Sequence, residues 1–331
     1  YPSSSFCQNT ANQFPVISPG AVAGTFKATP AGLVFVNDKT GEIDLKASTP
    51  GTYVITNEVG PVGGCSAVTS APFTLTIHPE PSLTNSSTAE ICSGVPLNIT
   101  LTSTVPADYS WVAADNANTS GETNNAPKIT NVIDDIIINN TTSPQVVKYT
   151  ITLTSKAGAC LNLKPQTIDV TVNPEPTLSN AGAYQICNDK TLNIGLTTNI
   201  AANYSWVATD NPNTSGETHT NPKQTAVIDD RLVNNSNGPQ VVTYTVTLTS
   251  KTGACVNLKP QIIEVTINKT VAAITADPTT GEKPLLVQFT NSTIGGTTYS
   301  WDFGNGATSS EKNPSYVYTE TGNYNACMFT E

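Results

Sequence analysis

The sequence predicts an all-β chain laid out as a row of small β-sandwiches, and three observations carry that expectation. Charged residues make up only 12% of the chain, with Thr, Asn and Ser filling the gap. That mix suits strands and turns, because Thr is favoured in strands while Asn and Ser compete with helical hydrogen bonds. Apolar residues alternate at period two, and no window of 12 or more residues carries a helical repeat. Long blocks of sequence also recur at a fixed spacing of 95 residues.

The repeat organises everything else. A shift of 95 residues places PQVV at 144–147 on 239–242, VIDD at 132–135 on 227–230, and NTSGET at 118–123 on 213–218. The same shift places TLTSKAGAC at 152–160 on TLTSKTGAC at 247–255. These are two copies of one domain. HPEP at 78–81 precedes the first and NPEP at 173–176 the second. Prolines around a glutamate favour extended backbone and remove donors from any sheet, as a short stiff linker requires. The third joint, INKT at 267–270, has no proline and is expected to be looser. Four modules follow: 1–79, 80–174, 175–268 and 269–331. In line, four modules of this size would form an extended rod of roughly 120–160 Å with small interdomain contacts.

Within each copy the strand signal is direct. YTITLT at 149–154 puts Tyr149, Ile151 and Leu153 on one face and threonines on the other; YTVTLT at 244–249, IDVTV at 168–172 and LNITLT at 97–102 repeat the pattern. Residues 1–79 show it in EIDL, GTYVIT and FTLTI, separated by turns bearing Gly and Pro. Such alternation is the mark of half-buried antiparallel strands. The three tryptophans, Trp111, Trp206 and Trp301, each follow Tyr-Ser and stand 95 residues apart. A large side chain at one register of each module is expected to plug the core between two sheets. The competing reading is an exposed platform for sugars.

Composition bounds the partners. A net charge of −10, without any Lys/Arg cluster, argues against nucleic acid or an anionic membrane. No run of roughly 20 apolar residues is present and Tyr1 does not open a signal peptide, so the expectation is a mature segment with no direct membrane insertion.

Residues 271–327 carry PLLVQFTNST, TYSWDFGNG and NPSYVYTETGNYNACMFT. This stretch resembles a PKD domain at Tyr299, Trp301, Asp302, Phe303, Gly304, Gly306, Asn313, Pro314, Tyr316, Tyr318, Gly322 and Tyr324. The two 95-residue copies resemble PKD-like modules of large surface proteins of Bacteroidota. They keep Tyr-x-Trp but carry Val-Ala-Ala (112–114) or Val-Ala-Thr (207–209) in place of Asp-Phe-Gly. Residues 1–79 are similar to Ig-like modules of the same proteins. The resemblance implies tandem Ig-like/PKD-like sandwiches in an extended array. It also implies a cell-surface or secreted adhesin, of the kind exported by the type IX system and linked to gliding motility.

Seven cysteines agree with an extracellular site. Six fall two to a module: Cys7 and Cys65, Cys92 and Cys160, Cys187 and Cys255, the last two pairs both separated by 68 residues. One pair per module is expected to be one intradomain disulfide, each contributing about 4 kcal/mol in the chain-entropy model. The bland alternative is six buried thiols. Cys327 has no earlier partner in its module and is expected to be unpaired. Only four residues follow it, so the last module is expected to be incomplete, lacking an edge strand that a continuing chain would supply.

No catalytic constellation is visible. His78 and His219 align with Asn173 and Asn124 in sister modules, and no HExxH, GxSxG, P-loop or CxxC occurs. Asp134-Asp135 and Asp229-Asp230 are adjacent pairs, which in extended chain point to opposite faces and suit neither paired-carboxylate catalysis nor easy chelation. Asp115-Asn116 and Asp210-Asn211 follow the tryptophan strands. In turns these oxygens have the chemistry Ca²⁺ takes, but the spaced acidic loop of an EF-hand is missing. They are expected to cap local backbone groups, with no cofactor. The SGET segments at 120–123 and 215–218 are expected to be surface turns. Asn85, Asn98 and Asn118 sit in glycosylation triplets.

The expected function is a non-enzymatic structural stalk that spaces or presents an adhesive tip, its glycan or protein partners held mostly by regions outside this segment. The alternatives are glycan- or protein-binding modules, or an accessory region of a secreted polysaccharide- or protein-degrading enzyme.

Overall fold

Strands form where the alternation is, and the inward positions are the apolar ones. Along Gln145–Ser155 the buried residues are Val147, Tyr149, Ile151, Leu153 and Ser155. That is every second residue, the period a pleated strand dictates. The structure, a computed structural model, describes residues 1–61 and 64–330, and all regular elements among them are β-strands. The chain divides into two compact units, Tyr1–Pro174 and Glu175–Glu331.

The first unit holds two cores. In module 1 the main sheet runs in the order Ser5–Cys7, Phe73–His78, Gly51–Val59, Thr25–Thr29. Phe26, Ile43, Leu45, Tyr53, Ile55, Leu75 and Ile77 fill its core. In module 2 the main sheet runs Ala107–Ala113, Gln145–Ser155, Gln166–Asn173, Thr88–Cys92. Two small ladders face it, Ile99–Thr100 with Val132–Ile133 and Thr119–Ser120 with Ile138–Asn139. Between these layers Trp111 lies opposite Ile151 and packs edge-on against Tyr149, ring centres 5.7 Å apart.

In the second unit, module 3 repeats module 2. Trp206 lies opposite Val246 and packs against Tyr244, again at 5.7 Å. In module 4, Tyr299–Asp302 pairs with Thr308–Ser309 on one side and Cys327–Thr330 on the other. Across from it stand Ile274–Asp277, Leu285–Asn291 and Ser315–Tyr318. The core around Trp301 is aromatic: Phe289, Phe303 and Tyr318 are buried with it, and Tyr316 stacks on Phe303 at 4.5 Å.

One feature departs from an all-antiparallel expectation. In modules 1 to 3 the first and last strands pair in parallel: Ser5–Cys7 with Phe73–His78, Thr88–Cys92 with Gln166–Asn173, and Ala183–Cys187 with Gln261–Asn268. A parallel pair needs a long crossover connection. Here the body of the module is that connection. Each of these modules therefore has an entry pole, where the first strand begins, and an exit pole, where the last strand hands on to the next module.

Candidate functional site

The tryptophans are core plugs. Trp111, Trp206 and Trp301 are all 0% exposed. Over two of them sits a polar cluster repeated in the same form. In module 2, Asp135 is buried while Asp134 faces solvent. Asp135 accepts four hydrogen bonds: from Thr123 N and Thr123 Oγ1 (both 2.7 Å), Tyr149 OH (2.9 Å) and Lys128 Nζ (3.2 Å). Lys128 also bonds Asp134 at 2.8 Å and lies 5.1 Å above the Trp111 ring. Module 3 builds the same cluster from Asp230, Thr218, Tyr244, Lys223, Asp229 and Trp206.

The electrostatics follow from these bonds. The hydrogen bonds to Asp134 and Asp229 hold Lys128 and Lys223 above the ordinary lysine range. The same bonds hold both aspartates below theirs. Burial first, and then the charge of Asp135 or Asp230, pushes the Tyr149 and Tyr244 phenols far upward. A carboxylate offers about four lone-pair sites, and at Asp135 all four are taken. Its role is to tie the segment after Val132–Ile133 to the Thr123 turn and to the floor of the core.

The SGET segments are not plain surface turns. Gly121 (φ +95°) and Gly216 (φ +96°) pass so close to the neighbouring strand that a Cβ would stand 2.1 Å from Ile136 O or 1.9 Å from Arg231 O. Only glycine fits there, with no side chain and free access to positive φ. That close pass turns the next residue inward. Glu217 Oε1 accepts from Thr214 Oγ1 at 2.7 Å, and Glu122 Oε1 from Thr119 Oγ1 at 3.0 Å. The Oε2 atoms of both are buried without a protein partner. Nearby, Asn116 and Asn211 cap their own turns as expected, accepting from Asn118 N and Asn213 N at 3.0 Å. Asn85 uses its amide to brace Thr100 O and Thr102 N. Among the described residues no three His, Cys, Asp or Glu side chains come together as a metal ligand set, and no helix is long and apolar enough to cross a membrane.

The cysteines correct the expected pairing. Cys7 is bonded to Cys160, joining module 1 to module 2, with Cα atoms 5.5 Å apart. Cys65, Cys187 and Cys327 are free and exposed, while Cys92 and Cys255 are also disulfide-bonded. The intradomain pairs Cys7–Cys65, Cys92–Cys160 and Cys187–Cys255 do not form, and strand length is the reason. Cys92 lies opposite Asn173 at the exit pole, beside the Gln145 end of the long strand. Cys160 follows the Ser155 end of that strand, which is 11 residues long. At about 3.3 Å per residue the two are roughly 33 Å apart, against a limit near 7 Å for a disulfide. Cys187 and Cys255 are separated by the equivalent strand Gln240–Ser250, and Cys7 and Cys65 by Gly51–Val59. Each of these modules thus carries one cysteine at each pole.

The first joint is built around this bond. Asn9 Nδ2 donates to Leu161 O at 2.7 Å, and Glu80 of the HPEP linker accepts from Leu163 N at 2.8 Å. The His78 ring covers Gly158 so closely that a Cβ there would fall 2.3 Å from the ring. In module 3 the linker glutamate Glu175 repeats the contact with Leu258 N at 2.6 Å. Sequence reasoning missed Lys128, Thr123, Glu80 and their copies as participants. Their signal was recurrence at 95 residues, for Lys128 within an otherwise divergent segment.

The geometry defines a class first: tandem β-sandwiches, with a Trp-centred core in modules 2 to 4 and parallel terminal strands in modules 1 to 3. Comparison with known proteins then places it. The PKD-like domain family matches residues 89–176 and 184–270, and the PKD domain family matches 269–331. The chain belongs to the PKD-like domain family. No curated protein matches it significantly. Among solved structures, Drosophila N-cadherin EC1-4 is similar over 98% of this chain and 97% of that one, at 11% identity and a TM-score of 0.27. Protocadherin gamma B7 domains 1–4 cover 97% and 92% at 10% identity and 0.30. The titin I-band fragment I67-I69 covers 81% and 95% at 9% identity and 0.31. Likeness at this level carries no functional implication.

Proposed function

We propose that the chain is an extracellular structural segment, a stalk whose modules space or present an adhesive tip. The observation that carries this reading is the first joint. A disulfide, a glutamate from the linker and a histidine against a glycine all serve to fix one module on the next. Such investment in a joint serves spacing better than catalysis, and a disulfide between domains belongs to an oxidising compartment. The finer reading is a cell-surface adhesin of Bacteroidota, exported by the type IX system and tied to gliding motility. It rests on the motifs TYSWDFGNG and NYSWVATDN, with glycan or protein partners held mostly elsewhere.

The test is a display experiment. The segment is placed between a membrane anchor and a reporter epitope, with one, two or all four modules retained. Epitope access to a bulky antibody should rise with module number, while the segment alone shows no binding to a glycan array or to cells. Access independent of module number, or strong binding by the segment itself, would favour the binding-module reading.

A further inference from the structure

We propose that the Cys7–Cys160 disulfide is a load bypass: tension along the chain crosses from the first strand of module 1 straight into module 2, and the body of module 1 is never stretched. The inference rests on the stalk reading for its biological use, but its mechanics rest on connectivity alone. A force applied to the two ends of a chain follows the shortest covalent path. That path runs from Tyr1 to Cys7, across the sulfur bridge, and on from Cys160. The body of module 1, from Gln8 to the linker, lies off that path, and once Cys92 is replaced by serine everything from Gln8 to Ala159 is a side loop.

Among modules 1 to 3, the bypassed module is the one that most needs it. Without the bond, load would enter at Ser5–Cys7 and leave at Phe73–His78, shearing a parallel ladder of three residue pairs. The corresponding ladders of modules 2 and 3 have five each. The buried core of module 1 is also small, seven residues against 13 in module 2 and 15 in module 3. A short clamp over a small core is the first element to yield in a series. With Cys7–Cys160 as the one crosslink, the path beyond Cys160 enters Gln166–Asn173, a strand already near full extension, which has little length to give. The contacts of Asn9, His78 and Glu80 hold the joint closed around the bridge, and Cys160 is itself buried.

Single-molecule stretching of the whole chain tests this. Handles are placed at both termini, and Cys65, Cys92, Cys187, Cys255 and Cys327 are replaced by serine so that Cys7–Cys160 is the sole crosslink. Its presence is checked by mass mapping of non-reduced peptides. The fully extended oxidised chain should be shorter than the reduced chain by the 153-residue separation of the two cysteines, roughly 500–550 Å at about 3.3–3.6 Å per residue. Adding a phosphine reductant to one molecule held under load should release that length, so the result does not depend on a variant that fails to fold. Cys160→Ser should show the longer contour from the start. Full contour length in the oxidised molecule, or a mass map without the Cys7–Cys160 peptide, overturns the bypass. Binding of a ligand by the segment in the display experiment overturns the stalk and leaves the bypass standing.

Discussion

Replacing Asp135 with alanine should open module 2 while leaving module 3 intact. The change removes the acceptor of four hydrogen bonds and leaves three donors without a partner: Thr123 N, Thr123 Oγ1 and the buried Tyr149 OH. Lys128 keeps Asp134 and so contributes little. An orphaned buried donor costs about 1–3 kcal/mol, and loss of one member of a buried charged cluster about 3–5 kcal/mol, so a total near 4 kcal/mol is expected. Tyr149→Phe is the control. It removes one donor from an acceptor that keeps three, leaves the packing on Trp111 in place, and should cost about 1 kcal/mol. Hydrogen exchange followed by mass spectrometry reads each module separately, and Gln240–Ser250 serves as an internal reference for Gln145–Ser155 in the same molecule. A loss of about 4 kcal/mol is a fall of roughly a thousandfold in protection, since each 1.4 kcal/mol is tenfold. A fall below tenfold for Asp135→Ala, or an equal fall in the module 3 peptide, would refute the view that this carboxylate ties the core together.

Two further outcomes follow from the same geometry. Because the folded-state pKa values of Tyr149 and Tyr244 are raised by burial, the unfolded tyrosines, titrating near 10, lose their protons first. Their contribution is complete below about pH 10 and declines above it by about 1.4 kcal/mol per pH unit for each tyrosine. Thermal melts between pH 8 and 12 should therefore be flatter for the Tyr149→Phe, Tyr244→Phe double variant than for the natural chain; parallel curves would count against it. Gly216→Ala should destabilise module 3 by about 2 kcal/mol or more, since it sets a Cβ against a backbone oxygen at positive φ. Gly238→Ala, where nothing lies within 4 Å, should stay within about 0.5 kcal/mol, and equal effects in calorimetry would mean the close pass at Gly216 is not what it is taken to be.

Much of the architecture was legible in the sequence because its causes are local or strictly repeated. Strand periodicity is a property of neighbouring residues, so YTITLT predicts its inward face without any knowledge of its partners. The 95-residue spacing of Tyr-Ser-Trp marked a common core register, whereas the adjacent aspartates, expected on opposite faces, differ in burial but converge on one lysine, because they lie outside the strands. Local pattern could not say which strands lie side by side. A period of two is the same in parallel and antiparallel pairs, so the parallel closure of the first strand on the last had to come from the fold. The inward turn of Glu122 and Glu217 also depended on a distant segment, the backbone at Ile136 and Arg231 that only a glycine can approach. Cysteine pairing shows the division most sharply. The count of two per module was visible in the sequence, but the alternation marked only 149–154 of the 11-residue strand Gln145–Ser155 between them. Only the placement of each thiol at an opposite pole shows that a rigid extended strand holds Cys92 and Cys160 far apart, and that Cys7 of one module meets Cys160 of the next.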